Sequence, residues 1–213
     1  MISERIGHWV RGYTSRLGEV LARMGLTANA ATLLGLFLNV AVAVVIASGY
    51  PRWGGVLLLV ASGFDMIDGA VARATGTMSR FGGFLDSTLD RYSEVLVYLG
   101  LLIYLTGTDD ARTGAILIFI AGSGALLISY ARARAEAAGY NASVGLVARP
   151  ERVVLLALSL LVLRPLWALW ILAVATHLTA LTRIVHVWRI SLREPPNAPS
   201  PAAPAGPRKR RSR

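Results

Sequence analysis

The sequence predicts an all-α membrane protein: six transmembrane helices preceded by an N-terminal amphipathic helix at the membrane surface. Three observations carry this expectation. Of 213 residues, 54% are hydrophobic and only 16% charged, the balance of an integral membrane protein rather than a globular domain. Apolar runs recur over residues 31–49, 53–73, 81–105, 113–131, 150–163 and 166–188, most of them close to the ~20 residues that a bilayer core requires. The net charge of +10 collects at alternating ends of those runs.

Residues 1–25 place Ile2, Ile6, Trp9, Val10, Tyr13, Leu17, Val20, Leu21 and Met24 at helical spacing. Arg5, Arg11, Arg16 and Arg23 are then left for water and lipid phosphate, which suits a helix lying in the interface. A cap helix packed on the bundle is the alternative. Residues 26–190 form the six-helix domain, whose fifth run is short and ends at Arg164-Pro165, where proline breaks the helix. Residues 191–213 are rich in Pro and Ala and close on Arg208-Lys-Arg-Arg-Ser-Arg213. They read as a disordered basic tail attracted to anionic headgroups, with no nucleic-acid role expected. The absence of cysteine excludes disulfides and thiolate-held metal.

Three connections carry one arginine each (Arg52, Arg112, Arg164), while the alternate connections and the termini hold nearly all the rest. The positive-inside rule therefore puts both termini, and the 2–3 and 4–5 connections, on the cytoplasmic side of the cell membrane.

That side also receives four carboxylates: Asp65, Asp68, Asp86 and Asp90. Members of each pair are one helical turn apart and share a face. Before Asp65 the second run offers about twelve apolar residues, or about 18 Å of helix, too short for a ~30 Å hydrocarbon core. The acidic turns must therefore enter the membrane, and an antiparallel hairpin of the second and third helices would bring both pairs to one depth. Acids at membrane depth mark a functional site. Crowded in low dielectric, four carboxylates either take up protons or are neutralised by cations. Two divalent ions would balance the charge. Oxygen ligation without Cys or nearby His favours Mg²⁺ or Mn²⁺, and a paired-metal site suits displacement at phosphorus. A cation or proton transporter is the competing class, but it gives no reason for the glycines and arginines around the acids. Gly69, Gly82 and Gly83 suit close approach of a ligand, or equally close packing between helices.

The spacing D-x2-D-G-x2-A-R-x8-G-x3-D-x3-D, met at Asp65, Asp68, Gly69, Ala72, Arg73, Gly82, Asp86 and Asp90, resembles the signature of the CDP-alcohol phosphotransferase family. The resemblance extends over about residues 2–190. It implies transfer of a phosphatidyl group from a CDP-linked lipid such as CDP-diacylglycerol to an alcohol, with release of CMP. It further implies metal ligation by Asp65, Asp68, Asp86 and Asp90, with Asp90 as the base for the acceptor hydroxyl. Gly69, Arg73 and Gly82 correspond to positions around the cytidine diphosphate. Asn29 and Thr32 resemble the family's L-T-P-N-x-x-T entry to the first span, with Ala28 in place of proline. A homodimer among membrane lipids is implied as well.

The acceptor is read from the other cytoplasmic connection. Arg132, Arg152 and Arg183 can converge beside the acids, and forked guanidinium contacts suit a phosphomonoester. Each arginine taken alone also suits an interfacial anchor. The runs around Ser129-Tyr-Ala-Arg132 and Arg149-Pro-Glu-Arg152 resemble the branch of the family whose acceptor is inositol phosphate, and that resemblance implies an acceptor-phosphate pocket lined by Ser129, Arg132, Arg152 and Arg183. Glycerol 3-phosphate is the rival acceptor, and Arg132 resembles the archaeal-type inositol-phosphate enzymes, so the lipid tails stay open. Glu136 and Glu151 are expected to orient neighbouring arginines. Glu94 continues the Asp86–Asp90 stripe, towards either Arg91 or a metal-bound water. His8, His177 and His186 are read as surface or interfacial residues rather than ligands.

Overall fold

The structure, a computed structural model, describes residue 18 and residues 20–193; for Met66 and Asp68 it describes the backbone alone. Six helices follow one another: α1 (Ala28–Ala47), α2 (Pro51–Thr75), α3 (Arg80–Thr106), α4 (Ala111–Ala137), α5 (Arg149–Leu161) and α6 (Pro165–Ser191). A helical turn at residues 20–23 precedes them. The remainder of the expected surface helix, and the tail from residue 194, lie outside the described residues.

Local chemistry sets the boundaries. Thr27 caps α1, its hydroxyl accepting from the Ala30 N–H at 3.2 Å, and Ser79 caps α3 by accepting from Gly82 N–H at 2.9 Å. Such caps are worth about 1 kcal/mol each. Pro51 and Pro165 start α2 and α6, where a missing N–H costs nothing. The α2 helix stops at Gly76, whose φ of 64° closes the end with Thr77 N–H on Ala72 O at 3.1 Å. The α5–α6 turn differs from expectation. Pro165 does not break α5, which ends at Leu161; Leu163 takes the left-handed conformation (φ 56°) and Arg164 N–H returns to Ser159 O at 2.8 Å.

On length and apolarity, four of the six helices can cross a membrane: α1, α2, α4 and α6. The α3 helix is long but carries Asp86, Asp90, Arg91 and Glu94, and α5 has only 13 residues. The expected hairpin of α2 and α3 is also corrected. Among the described residues these two helices touch little, because α1 packs against both; the ring then runs α3 to α4, α4 to α6, α6 to α5 and α5 back to α2. Close approach depends on small residues, as is usual between membrane helices. A Cβ on Gly100 of α3 would run into the Ala43 backbone of α1, and one on Gly124 of α4 into Thr176 of α6. Ile46, Leu101, Leu117, Leu160, Leu169 and Leu172 fill the interior. Phe37, Val60, Phe119, Ile171 and Val174 face outward, so the bundle is apolar on both sides, as a lipid solvent demands. Buried hydroxyls bond back to their own helices, Thr176 to Leu172 O at 2.7 Å and Ser159 to Leu156 O at 2.7 Å.

Candidate active site

The α1 helix packs against both α2 and α3, the two helices that carry the acids. The gap between Asp65 of α2 and Asp90 of α3 is closed by Arg149, the first residue of α5. Its two terminal nitrogens donate to Asp65 Oδ2 at 2.7 Å and to Asp90 Oδ1 at 2.8 Å. The α1 helix comes so near at Gly35 that a Cβ there would stand 2.9 Å from Asp65 Oδ1.

Asp86 lines a neighbouring cavity of about 160 Å³ together with Asn29, Thr32, Ser79, Gly82 and Gly83. Three of the residues expected to hold the cytidine diphosphate, Asn29, Thr32 and Gly82, are thus brought together with one acid. Gly82 leaves room where a Cβ would meet Ser79 Oγ at 3.1 Å and Asn29 Oδ1 at 3.4 Å. Gly69 and Arg73 are one turn apart on α2, the Arg73 NH1 lying 3.3 Å from where a Gly69 Cβ would be. They do not line that cavity.

A second cavity of about 430 Å³ shares Gly83 with the first. All four residues expected to hold an acceptor phosphate line it: Ser129, Arg132, Arg152 and Arg183. Each arginine is held differently. Arg183 is pinned by carbonyls, Nε to Val144 O at 2.9 Å and NH1 to Ile128 O at 2.7 Å. Arg152, 3% exposed, forks onto Glu94 at 2.8 and 2.9 Å. Arg132 is more open and pairs with Glu136 at 2.7 Å. The structure thus pairs Glu94 with Arg152. Glu136 pairs as expected.

Two residues of this cavity escaped the sequence reading. Arg149 was legible only as part of Arg-Pro-Glu-Arg; its i, i+3 spacing from Arg152 on a helix was the available signal. Arg91 follows Asp90 directly, and its NH1 lies 3.7 Å from Asp90 Oδ2. Its Nε and NH1 are buried without a hydrogen-bond partner. Five arginines line this wall with one acid, Glu136, while Glu94 offsets Arg152 and the Asp65–Asp90 pair offsets Arg149 from behind it. A third omission is Thr179, whose hydroxyl accepts from Leu146 N–H and Val147 N–H at 3.3 Å each and donates to Ala175 O at 2.7 Å. It ties the strand of chain leading into Arg149 to α6. Of the histidines, His177 rests its Nε2 on Ile120 O at 3.0 Å, away from the acids.

The acids fit a divalent cation on one direct observation. Asp65 and Asp90, from separate helices, already converge on a single positive group, the Arg149 guanidinium. Their donors are hard oxygens suited to Mg²⁺ or Mn²⁺. Among the described residues no three acidic or imidazole side chains stand at caging distance; the Asp68 side chain lies outside that set.

Helices, acids and arginines of this kind define a class. Residues 25–187 match the family model for CDP-alcohol phosphatidyltransferases, and the chain belongs to that family. It is a multi-pass membrane protein. Its sequence is 36% identical over 143 residues to the phosphatidylinositol phosphate synthase of Mycobacteroides abscessus, a match covering 67% of this chain and 65% of that relative, just under two thirds of its length. It is 34% identical over 145 residues to the archaetidylinositol phosphate synthase of Pyrococcus horikoshii, covering 68% of this chain and 74% of the relative. The crystal structure of Mycobacterium tuberculosis phosphatidylinositol phosphate synthase with CDP-DAG bound is similar at a TM-score of 0.77 and 34% identity, over 82% of this chain and 93% of that one. A second crystal structure of the same enzyme, in complex with manganese and citrate, gives 0.76 at 34% identity, over 82% of this chain and 88% of that one.

Proposed function

We propose that this chain is a phospholipid synthase that transfers a phosphatidyl group from CDP-diacylglycerol to inositol 1-phosphate, giving phosphatidylinositol phosphate and CMP. One observation carries the reading: a cavity holding Asp86 and one lined by five arginines share Gly83, the second reaching Arg149 of the Asp65–Arg149–Asp90 bridge. The first takes the nucleotide end of the donor, with Asn29, Thr32, Gly69, Arg73 and Gly82 as its contacts. The second takes the acceptor's phosphate on Ser129, Arg132, Arg152 and Arg183, where charge-assisted, forked hydrogen bonds are strongest. The similarity to the mycobacterial synthases supports this acceptor.

Asp90 removes the proton from the acceptor hydroxyl. The freed oxygen attacks the phosphorus that bears diacylglycerol, the bond from that phosphorus to CMP breaks, and CMP leaves with the electron pair. Two divalent ions, Mg²⁺ or Mn²⁺, held by Asp65, Asp68, Asp86 and Asp90, would supply the counter-charge for the pyrophosphate and the leaving group. Arginine fixes the acceptor's phosphate so that only the hydroxyl can approach.

The same reading makes residues 26–190 a six-span domain in which α3 and α5 also cross the membrane, each flanked by longer apolar helices. It keeps both termini and the site cytoplasmic, with residues 1–25 on the surface and 191–213 as a basic tail, and it takes a homodimer as the working unit. Because the chain has no cysteine, single cysteines at Asp109 and Ser200 would report sidedness with an impermeant maleimide. Labelling of both from the same face would refute the topology.

The decisive assay is CMP release by purified protein in detergent with Mg²⁺ or Mn²⁺. Inositol 1-phosphate, glycerol 3-phosphate, serine and free inositol are compared as acceptors. Release with glycerol 3-phosphate alone would replace the acceptor, and release with none would remove the reading. An ether-lipid donor is the second reading, favoured by the similarity to the P. horikoshii archaetidylinositol phosphate synthase, and CDP-archaeol in the same assay tests it.

A further inference from the structure

Arg149 occupies an unusual position between the two halves of the site. It stands at the first turn of α5, and each of its terminal nitrogens is committed to a different acid, Asp65 at 2.7 Å and Asp90 at 2.8 Å. Its Nε is buried and makes no hydrogen bond. The same side chain lines the arginine cavity with Arg91, Arg132, Arg152 and Arg183. One guanidinium therefore belongs to both walls, the anionic and the cationic.

Arg149 holds one oxygen of each carboxylate, Asp65 Oδ2 and Asp90 Oδ1, and a divalent ion bound by Asp65 and Asp90 would compete with it for the same two negative groups. Two cations on one pair of carboxylates, at the low dielectric of a bundle interior, repel strongly. Occupancy by Arg149 and occupancy by a divalent ion are therefore alternatives. Arg149 has somewhere to go: the cavity it already lines, where a phosphomonoester would gain a further charged donor and could engage the unpaired Nε.

We propose that Arg149 is an exchangeable counter-cation of Asp65 and Asp90, surrendered to the acceptor's phosphate when a divalent ion takes those carboxylates. The inference rests on the functional reading above and adds an order of events to it. Metal binding releases Arg149 and so tightens the acceptor; by reciprocity the acceptor, by drawing Arg149 away, tightens the metal by the same factor. Without metal, the acceptor pocket is one arginine short and the acids are neutralised from within. That arrangement disfavours capture of inositol phosphate before the site can use it.

The test is a binding isotherm rather than turnover. Mn²⁺ binding to the full-length protein in detergent is followed by the EPR signal of free Mn²⁺, with and without inositol 1-phosphate, for wild type and Arg149→Gln. Wild type should bind Mn²⁺ several-fold more tightly with inositol 1-phosphate present. Arg149→Gln should bind Mn²⁺ at least fivefold more tightly than wild type when acceptor is absent, and should lose most of the enhancement by acceptor. Equal or weaker Mn²⁺ binding by the variant overturns the exchange while leaving the functional reading standing. Absence of Mn²⁺ binding by wild type overturns both. Should Arg149→Gln fail to fold, Arg149→Lys serves. It keeps the charge but spans only one carboxylate, so its Mn²⁺ affinity should exceed that of wild type, and an unchanged affinity counts against the exchange.

Discussion

Arg152 and Glu94 form a two-pronged ion pair in the bundle interior, Nε to Oε1 at 2.8 Å and NH2 to Oε2 at 2.9 Å, with the arginine side chain 3% exposed. Two of the five N–H groups of Arg152 are used inward, on an acid one turn beyond Asp90. The pair fixes the guanidinium plane at the edge of the arginine cavity and neutralises one of its five positive charges. Removing the acid would leave a buried cation uncompensated.

Glu94→Gln is therefore expected to destabilise the protein by about 3 kcal/mol, the usual cost of breaking a buried pair from one side. The thermal midpoint in detergent measures this. Glu94→Gln combined with Arg152→Met should recover much of the lost stability without recovering acceptor affinity. A double variant whose loss equals the sum of the singles would mean that the two residues do not act as a pair.

Arg152→Gln alone should raise the KM for the phosphorylated acceptor by about tenfold or more, in keeping with the loss of one charge-assisted hydrogen bond. The KM for the CDP-lipid should stay within about twofold. Parallel rises in both would argue for a collapsed site and against contact with the acceptor's phosphate.

Asp90→Asn should lower the rate of CMP release by at least about a hundredfold, the lower bound for loss of a general base. CDP-diacylglycerol binding, followed by tryptophan fluorescence or calorimetry, should persist. Retention of near-normal turnover would take the role of base away from Asp90.

Thr179→Val keeps shape and removes the hydroxyl that accepts from Leu146 and Val147. Hydrogen exchange at residues 144–148 should rise by about tenfold, with exchange in α1 unchanged. The acceptor KM should rise more than kcat falls, since that segment leads into Arg149. Unaltered exchange in the segment would show that the loop is held by other contacts.

How far the sequence foretold this molecule differs from element to element. The six apolar runs foretold the helices to within three residues at every end but one, α4 running six residues past its expected end to Ala137, and part of the slippage has a cause. The run at 31–49 begins late because the capped first turn, Ala28 to Ala30, is small rather than greasy, and the helix ends at Ala47 because Gly49 turns the chain. The acids were legible since their spacing is local. The path of α1 between α2 and α3 was not, because nothing within α1 names its neighbours. Contacts across long sequence separations were the hardest. Arg149 reaches an acid 84 residues away and Arg152 one 58 residues away, and both look alike in a run of charged residues. The fold brings both to one cavity, which no local pattern in the sequence announces.

The brevity of α5 has a consequence for how reactants meet. Thirteen residues reach about 20 Å, some 10 Å less than a hydrocarbon slab of about 30 Å. On the proposed six-span reading the missing third falls to the arginine-lined recess, so that the water surface would dip towards Asp65 and Asp90. A polar sugar phosphate would then descend to the reacting phosphorus while the two fatty chains of its partner never left the oil.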